Sequence, residues 1–318
     1  MEFGFMLSSE EHGPRELLHQ AQLAEQSGLD RVFISDHFHP WLEEQGESPF
    51  VWSVIGGIAA TTKLAVTTGV TCPTTRIHPA IIAQAAATSQ VLLDGRFRLG
   101  VGTGEKLNEH ITGTPWPPVS VRFEMLEEAL EVIRELWEGK IVTHHGAHYT
   151  IHNARIYSLP ARPPEILMSG FGPRSTALAA RIADGFVTTK PDGDAVKRFR
   201  DAGGRGAVIA ALKVCFAPTR EAGQDMAHRL WRNEELPGQL AQELPMPEHF
   251  TQASELVTPE AVGRSIPCGP DPAAYLEAIE KYRAAGVDEL YINQIGPAQA
   301  EFLTFFEREL QPQLTAAV

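Results

Sequence analysis

The sequence predicts a (β/α)8 TIM barrel occupying residues 1–318 as one domain, with insertions at its C-terminal mouth. Short apolar runs alternate with longer stretches of helical period, eight strands can be counted, and a helical stretch follows each. A chain of 318 residues exceeds an ordinary domain but suits a large α/β barrel. The first strand, 2–7, leads to a helix at 14–27 that Pro14 opens and Ser27-Gly28 closes. Strand 31–35 precedes a helix at 51–62, strand 64–68 a helix at 79–93, and strand 96–101 a long helix at 119–138. Residues 139–163 break the repeat. Their histidines and Pro160, Pro163 and Pro164 predict a short hairpin and a rigid entry into the fifth strand, 164–168. Helix 173–183, strand 185–189, helix 192–201, strand 207–216 and helix 219–233 continue the pattern. A second excursion, 236–269, carries five prolines and little periodicity, as loops that shape a substrate site do. The series closes with a helix at 270–285 ended by Gly286, strand 288–293 and a helix at 298–314.

Composition narrows the partners. Lys plus Arg number 27 against 40 Asp plus Glu, a net charge of −13 that repels a nucleic acid backbone. Cys72, Cys215 and Cys268 are odd in number and show no CxxC spacing, which points to a reducing, cytoplasmic compartment. The start lacks a basic segment followed by an apolar one, and no apolar run nears the roughly 18 residues that span a bilayer. Neither a targeting segment nor a membrane partner is expected.

Working residues of such a barrel stand at the C-terminal ends of its strands. The second strand runs into Asp36-His37-Phe38-His39-Pro40-Trp41, and the fourth into Gly102-Thr103-Gly104-Glu105-Lys106-Leu107-Asn108-Glu109, so both clusters reach one mouth. Histidine is the side chain type able to exchange a proton near physiological pH and Glu105 is a second proton-handling group, so His37 and Glu105 form a pairing suited to general acid–base work. Gly102-x-Gly104 is no dinucleotide fingerprint, because position 107 is Leu. Glycines there let a planar or phosphorylated ligand approach the backbone. Ser169-Gly170-Phe171-Gly172-Pro173 opens a helix whose free N–H groups suit an anion. No Walker-type Gly-Lys-Ser/Thr occurs. His37-Phe38-His39 raises a metal-dependent hydrolase as another class, but later strand ends offer no matching ligands, so no metal is expected. His144, His145 and His148 read as solvated loop histidines, and a barrel without catalysis is the remaining alternative.

Ser35-Asp36-His37-Phe38-His39-Pro40-Trp41 and Gly102-Thr103-Gly104-Glu105-x-Leu107-Asn108-Glu109 together resemble the bacterial luciferase-like flavin and deazaflavin oxidoreductases, within them the coenzyme F420-dependent glucose-6-phosphate dehydrogenase group. Glu10, His78-Pro79-Ala80 and Ala183-Asp184-Gly185-Phe186 extend the likeness along the chain. The resemblance implies coenzyme F420 at the barrel mouth, with FMN as the alternative, and hydride transfer between the cofactor and an alcohol or carbonyl carbon of a small molecule. It further implies His37 as general base, held by Asp36 and Glu10, Glu105 as proton donor to the cofactor, and Trp41 beside the reacting centre. Asp36, Gly69, Val70, Asn108, Ser169, Gly170 and Gly172 fall at its cofactor positions, Gly69-Val70 at its non-proline cis peptide. Glu10, Trp41 and Lys190 fall at the substrate. Of the basic residues that hold a sugar phosphate in that group, only Lys190 has a counterpart; Gly263, next to Arg264, and Asp288 fall where the others belong. Glucose 6-phosphate is therefore not the expected substrate. The family's pairing of barrels, with the apolar Val51, Trp52, Val54, Ile55 and Ile58 of the second helix, predicts a homodimer.

Overall fold

Barrel strands of four to seven residues are long enough to expose alternate side chains to two different environments. The computed structural model describes residues 1–315. Strand β1 (Glu2–Leu7) is followed by α1 (Pro14–Gln26), β2 (Arg31–Ile34), α2 (Val51–Thr61), β3 (Ala65–Thr68), α3 (Pro79–Leu92) and β4 (Phe97–Val101). Next come α4 (Lys106–Glu109), α5 (Val119–Trp137), a hairpin of β5 (Val142–His145) and β6 (Thr150–Ala154), β7 (Glu165–Ser169), α6 (Pro173–Ile182), β8 (Gly185–Thr188) and α7 (Gly193–Asp201). After β9 (Val208–Val214) and α8 (Arg220–Trp231), the excursion folds as α9 (Leu240–Glu243), α10 (Pro247–Ala253) and α11 (Pro259–Ser265). The chain ends with α12 (Pro272–Ala284), β10 (Glu289–Gln294), α13 (Gln299–Phe305), a π-helical turn over 306–310 and α14 (Gln311–Thr315).

Eight strands close in the order β1-β10-β9-β8-β7-β4-β3-β2, and β5 with β6 forms a separate antiparallel pair. Closure removes every exposed edge of the main sheet. Alternation sends Met6, Phe33, Leu167, Val187, Ile209, Ala211 and Tyr291 into the lumen. Phe5, Leu7, Val32, Ile34, Leu290 and Ile292 instead join the larger core between sheet and helices. The eight sequence-read strands and the helices between them are all present, with ends displaced by a residue or two.

Below the apolar lumen lies a charged floor. Arg98 donates to both Glu289 oxygens, at 2.8 and 2.6 Å, and Tyr291 donates to the same carboxylate at 2.8 Å. Arg31 approaches Glu289 at 3.2 Å. Gly4 makes room for this cluster, since a Cβ there would sit 2.5 Å from the Tyr291 ring.

Two expectations change. The helical residues offered as a dimer face, Val51, Val54, Ile55 and Ile58, are buried within the chain, and Trp52 packs on Phe97. The apolar character of α2 is thus accounted for by intrachain packing. In the hairpin, His145 is exposed, but His144 meets Glu128 of α5 at 3.1 Å, and Glu128 also accepts the His148 and Tyr149 amides at 2.9 and 2.8 Å. His148 lies 3.6 Å from Glu124. The hairpin is strapped down rather than solvated, and Tyr149 carries the strap inward, its hydroxyl lying 3.0 and 2.9 Å from the Pro73 and Thr74 carbonyls.

Burial raises the Glu289 carboxyl, but the Arg98 contacts overcome it and hold it down at about 2. An unfolded Glu titrates at roughly 4.3, so this contribution is complete above that pH and is lost as pH falls toward the folded value. Glu289→Ala should lower the urea unfolding free energy by about 3–5 kcal/mol at neutral pH, by stranding buried cations. It should also flatten the stability loss of the wild type on acidification, and an unchanged acid profile would refute this account.

Candidate active site

The ends of β1 and β2 meet on one buried carboxylate. Glu10 accepts the Ser35 and Ser8 hydroxyls on Oε2 at 2.6 and 3.0 Å, and this leaves Oε1 facing His37 Nε2 at 3.5 Å. Burial raises the Glu10 carboxyl, yet the His37 charge and the two serine hydrogen bonds outweigh it, for a net lowering. His37 Nδ1 lies 3.1 Å from the His39 carbonyl and 3.2 Å from Asn108 Nδ2. In the tautomer whose Nδ1–H donates to His39, Nε2 keeps the lone pair a general base needs.

Asn108 is buried, and its Oδ1 accepts the Phe38 and His39 amides at 2.9 and 3.2 Å. Its side chain is therefore committed to shaping the His37 loop. Asp36 does not hold His37, contrary to the sequence reading. It accepts the Thr71 hydroxyl at 2.7 Å and Arg76 at 2.8 Å, because a buried carboxylate needs a cation or several donors and the loop after β3 supplies both. Arg76 also lies 3.6 Å from Glu109, whose Oε2 accepts the Arg76 amide at 2.7 Å. Glu105 caps α4 beside this group, half-buried, and makes no side-chain hydrogen bond among the described residues. Arg76 and Glu109 were missed as site residues. Two carboxylates one helical turn apart, Glu105 and Glu109, were the available signal, since a pair of that kind at a barrel mouth requires a cation.

The loops after β3 and β4 pack closely against each other here. The Gly69-Val70 peptide is cis. A Cβ on Gly69 would lie 2.5 Å from the Phe33 ring, and one on Gly102 would lie 2.8 Å from Val70 Cγ2. Both positions therefore suit glycine because Phe33 and Val70 already fill the volume a side chain would need. Ser169 ends β7, the strand next to β4, with Gly170 just beyond, but the anion site expected there is poorer than its sequence suggests. Pro173 has no N–H, and the Gly172 N–H is taken by Ser175 Oγ at 3.1 Å.

The wall beside His37 is aromatic. Trp41 lies 4.9 Å from the His37 ring and 5.2 Å from Phe250 of α10, so the excursion backs the wall beside His37. Gln45 accepts the Trp41 amide at 2.7 Å and donates to the Leu230 carbonyl at 2.8 Å, tying that wall to the end of α8. Glu11, also missed, accepts Trp231 Nε1 at 2.6 Å and the Gly296 amide at 2.8 Å. Burial, only partly offset by those two bonds, pushes its carboxyl up to about 7. Lys190 is exposed just past β8 and makes no ion pair among the described residues. Asp288 is misplaced by the sequence reading: it precedes β10 at the barrel floor, 3.0 Å from Arg200. Gly263 lies on α11, where a Cβ would collide with Gln224. His37-Phe38-His39 gathers no third ligand, because His39 Nδ1 lies 2.8 Å from the Leu107 carbonyl and no group of three metal-ligating side chains forms among the described residues.

Burial pushes the Glu109 carboxyl up to about 7, with Arg76 opposing and Glu105 and Asp36 adding to the rise. Between roughly pH 4.3 and that value the folded chain keeps a proton the unfolded chain releases, so this group makes stability fall as pH rises. Glu109→Gln should remove that slope. Its stability relative to wild type, measured by urea unfolding, should increase steadily from about pH 4.5 to 7.5, and a constant difference would contradict the assignment.

Comparison with known proteins identifies the family. Residues 1–289 match the family described as Luciferase-like monooxygenase. The chain is 38% identical over 334 residues to the F420-dependent glucose-6-phosphate dehydrogenase of Nakamurella multipartita, covering 99% of this chain and 97% of that one. It is 35% identical over 332 residues to the protein of the same name from Microbacterium testaceum, at 99% and 97% coverage. The structure of an F420-dependent secondary alcohol dehydrogenase in complex with an F420-acetone adduct superposes with a TM-score of 0.90 at 28% identity, covering 98% of both chains. The matched segment runs from the Glu10–His37 pair through the carboxylate–arginine loops into β10, and the chain belongs to the luciferase-like monooxygenase family.

Proposed function

We propose that this chain is a coenzyme F420-dependent oxidoreductase that moves a hydride between the cofactor and the alcohol or carbonyl carbon of a small molecule. The observation that carries the reading is His37 Nε2 facing a buried, serine-held Glu10 at the barrel mouth. Gly69, Val70 and Gly102 would hold the cofactor's flat ring system, with Ser169 and Gly170 at the neighbouring end of β7, while Asp36 and Asn108 keep the loops in place. Bound there, the deazaflavin supplies two-electron hydride chemistry. His37 takes the proton of a substrate hydroxyl, and Glu10 balances the charge that then arrives on the imidazole. In the reverse direction His37 returns the proton to the carbonyl oxygen. Glu105, without a side-chain partner, holds the proton exchanged at the ring. Trp41 walls off water next to His37.

Although the sequence relatives above carry the sugar-phosphate name, this site suits a neutral substrate better. One exposed Lys190 stands in for a set of cations, with Asp288 at the far end of the barrel. Each charge-assisted hydrogen bond is worth roughly 1.5–3 kcal/mol, so a dianionic phosphate held by a single lysine is bound weakly. His37→Ala should leave F420 affinity within about threefold while lowering turnover of a neutral secondary alcohol by a factor on the order of 10² to 10⁴. Titration with F420 and with FMN, followed by stopped-flow assays at the deazaflavin absorbance, measures both. Binding of FMN alone, or unchanged turnover in the variant, would overturn the assignment.

The homodimer remains part of the proposal, on a different surface. Phe50, Ile81, Val91 and Leu92 are exposed around α2 and α3, and the last three share one face of α3. Light scattering at micromolar concentration should give twice the chain mass for the wild type and the single mass for Ile81→Glu/Leu92→Glu. A monomeric wild type refutes it.

A further inference from the structure

Ile209 and Ala211 of β9 belong to the lumen cluster, and the next residue on that face is Lys213, at the mouth. Its register partner on β10 is Asn293, two residues beyond the lumen-facing Tyr291. A largely buried ammonium in that place is half of an anion site, because a cation shielded from water requires a counter-charge. The chain supplies one itself. Glu234 Oε1 lies 2.9 Å from Lys213 Nζ, on the short turn after α8 where the excursion begins. The Trp231 ring lies against the same ammonium, 4.3 Å from centroid to Nζ. Glu11 also faces Lys213, but both its oxygens are engaged by Trp231 and Gly296.

This cluster belongs to the substrate side. Trp231 donates to Glu11, the neighbour of Glu10, and Trp41 packs against the hydrophobic cluster that contains Trp231. Asn293 is fully buried with neither amide atom hydrogen-bonded, so an ammonium released from Glu234 would have an unengaged amide on the adjacent strand.

We propose that Glu234 sets the charge class of the substrate: by occupying Lys213 it closes an anion subsite built into the lumen wall and reserves the pocket for uncharged alcohols and carbonyls. The inference deepens the proposed function and rests on it for the identity of the pocket. The pairing itself is a property of the chain and can be tested without turnover.

Inorganic phosphate is the probe, titrated into F420-loaded protein so that the cofactor covers its own phosphate contacts, with tryptophan emission as the readout because Trp231 touches the ammonium. Wild type should show no saturable response at millimolar phosphate. Glu234→Gln, nearly isosteric on an exposed turn, should gain one with a dissociation constant at least about tenfold lower, the least that one charge-assisted contact provides. Glu234→Ala should gain it too, which guards against a folding defect in either variant. Lys213→Met added to Glu234→Gln should abolish it. In assays, kcat/KM for glucose 6-phosphate relative to a neutral secondary alcohol should rise about tenfold or more in Glu234→Gln. Equal phosphate affinity in wild type and both Glu234 variants, or a response that survives loss of Lys213, overturns the proposal. If F420 fails to bind any of these proteins, the proposed function falls instead, while the same phosphate titration without cofactor still decides the Lys213–Glu234 question.

Discussion

A carboxylate taken out of water needs donors, and Glu10 obtains hydroxyls from two different strands with the His37 imidazole beside them. Ser8 comes from its own strand end, and Ser35 and His37 from the next. The rest of the mouth is arranged around this demand. His37 must be turned toward Glu10, so its other nitrogen is pinned by the His39 carbonyl. The loop carrying both is in turn fixed by Asn108 from beyond β4. The barrel supplies the strand ends; the need to compensate one buried charge decides how the loops above them close.

The same logic recurs one strand further. Asp36 and Glu109 are buried on opposite sides of Arg76, and the guanidinium joins the loops after β2, β3 and β4 into one body. Glu105 is left outside this compensation and has no side-chain hydrogen bond among the described residues. Two glutamates one helical turn apart are thereby given different environments, Glu109 buried against Arg76 and Glu105 half-buried at the mouth.

Much of this was legible in the residues. The eight apolar runs, the stops at Ser27-Gly28 and Gly286 and the proline-rich entry into β7 are local signals, and local signals survive into the fold. The placement of His37, Trp41 and Glu105 at the mouth was legible because they directly follow the ends of β2 and β4. Partners distant in sequence were not. Asp36 was read as a brace for His37 because it is adjacent to it, whereas its real partners come from the loop after β3. Asp288 was placed in the pocket only by its match to the family's phosphate-binding positions, whereas the residue that precedes β10 lies a whole strand length from the mouth. The apolar residues of α2 suggested an interface for a comparable reason: hydrophobicity tells that a residue is covered, not by what.

The excursion and the hairpin, which looked like additions to a repeating unit, hold the site from outside. Phe250 backs Trp41, and the Tyr149 hydroxyl reaches the Pro73 and Thr74 carbonyls only two residues before Arg76. The hairpin and the loop after β3 thus form a matched pair although more than seventy residues separate them in the chain. Chimeras built by exchanging segments between relatives would have to transplant both together. Hairpins that differ freely in their exposed turn should still keep an aromatic hydroxyl at the position that grips the loop.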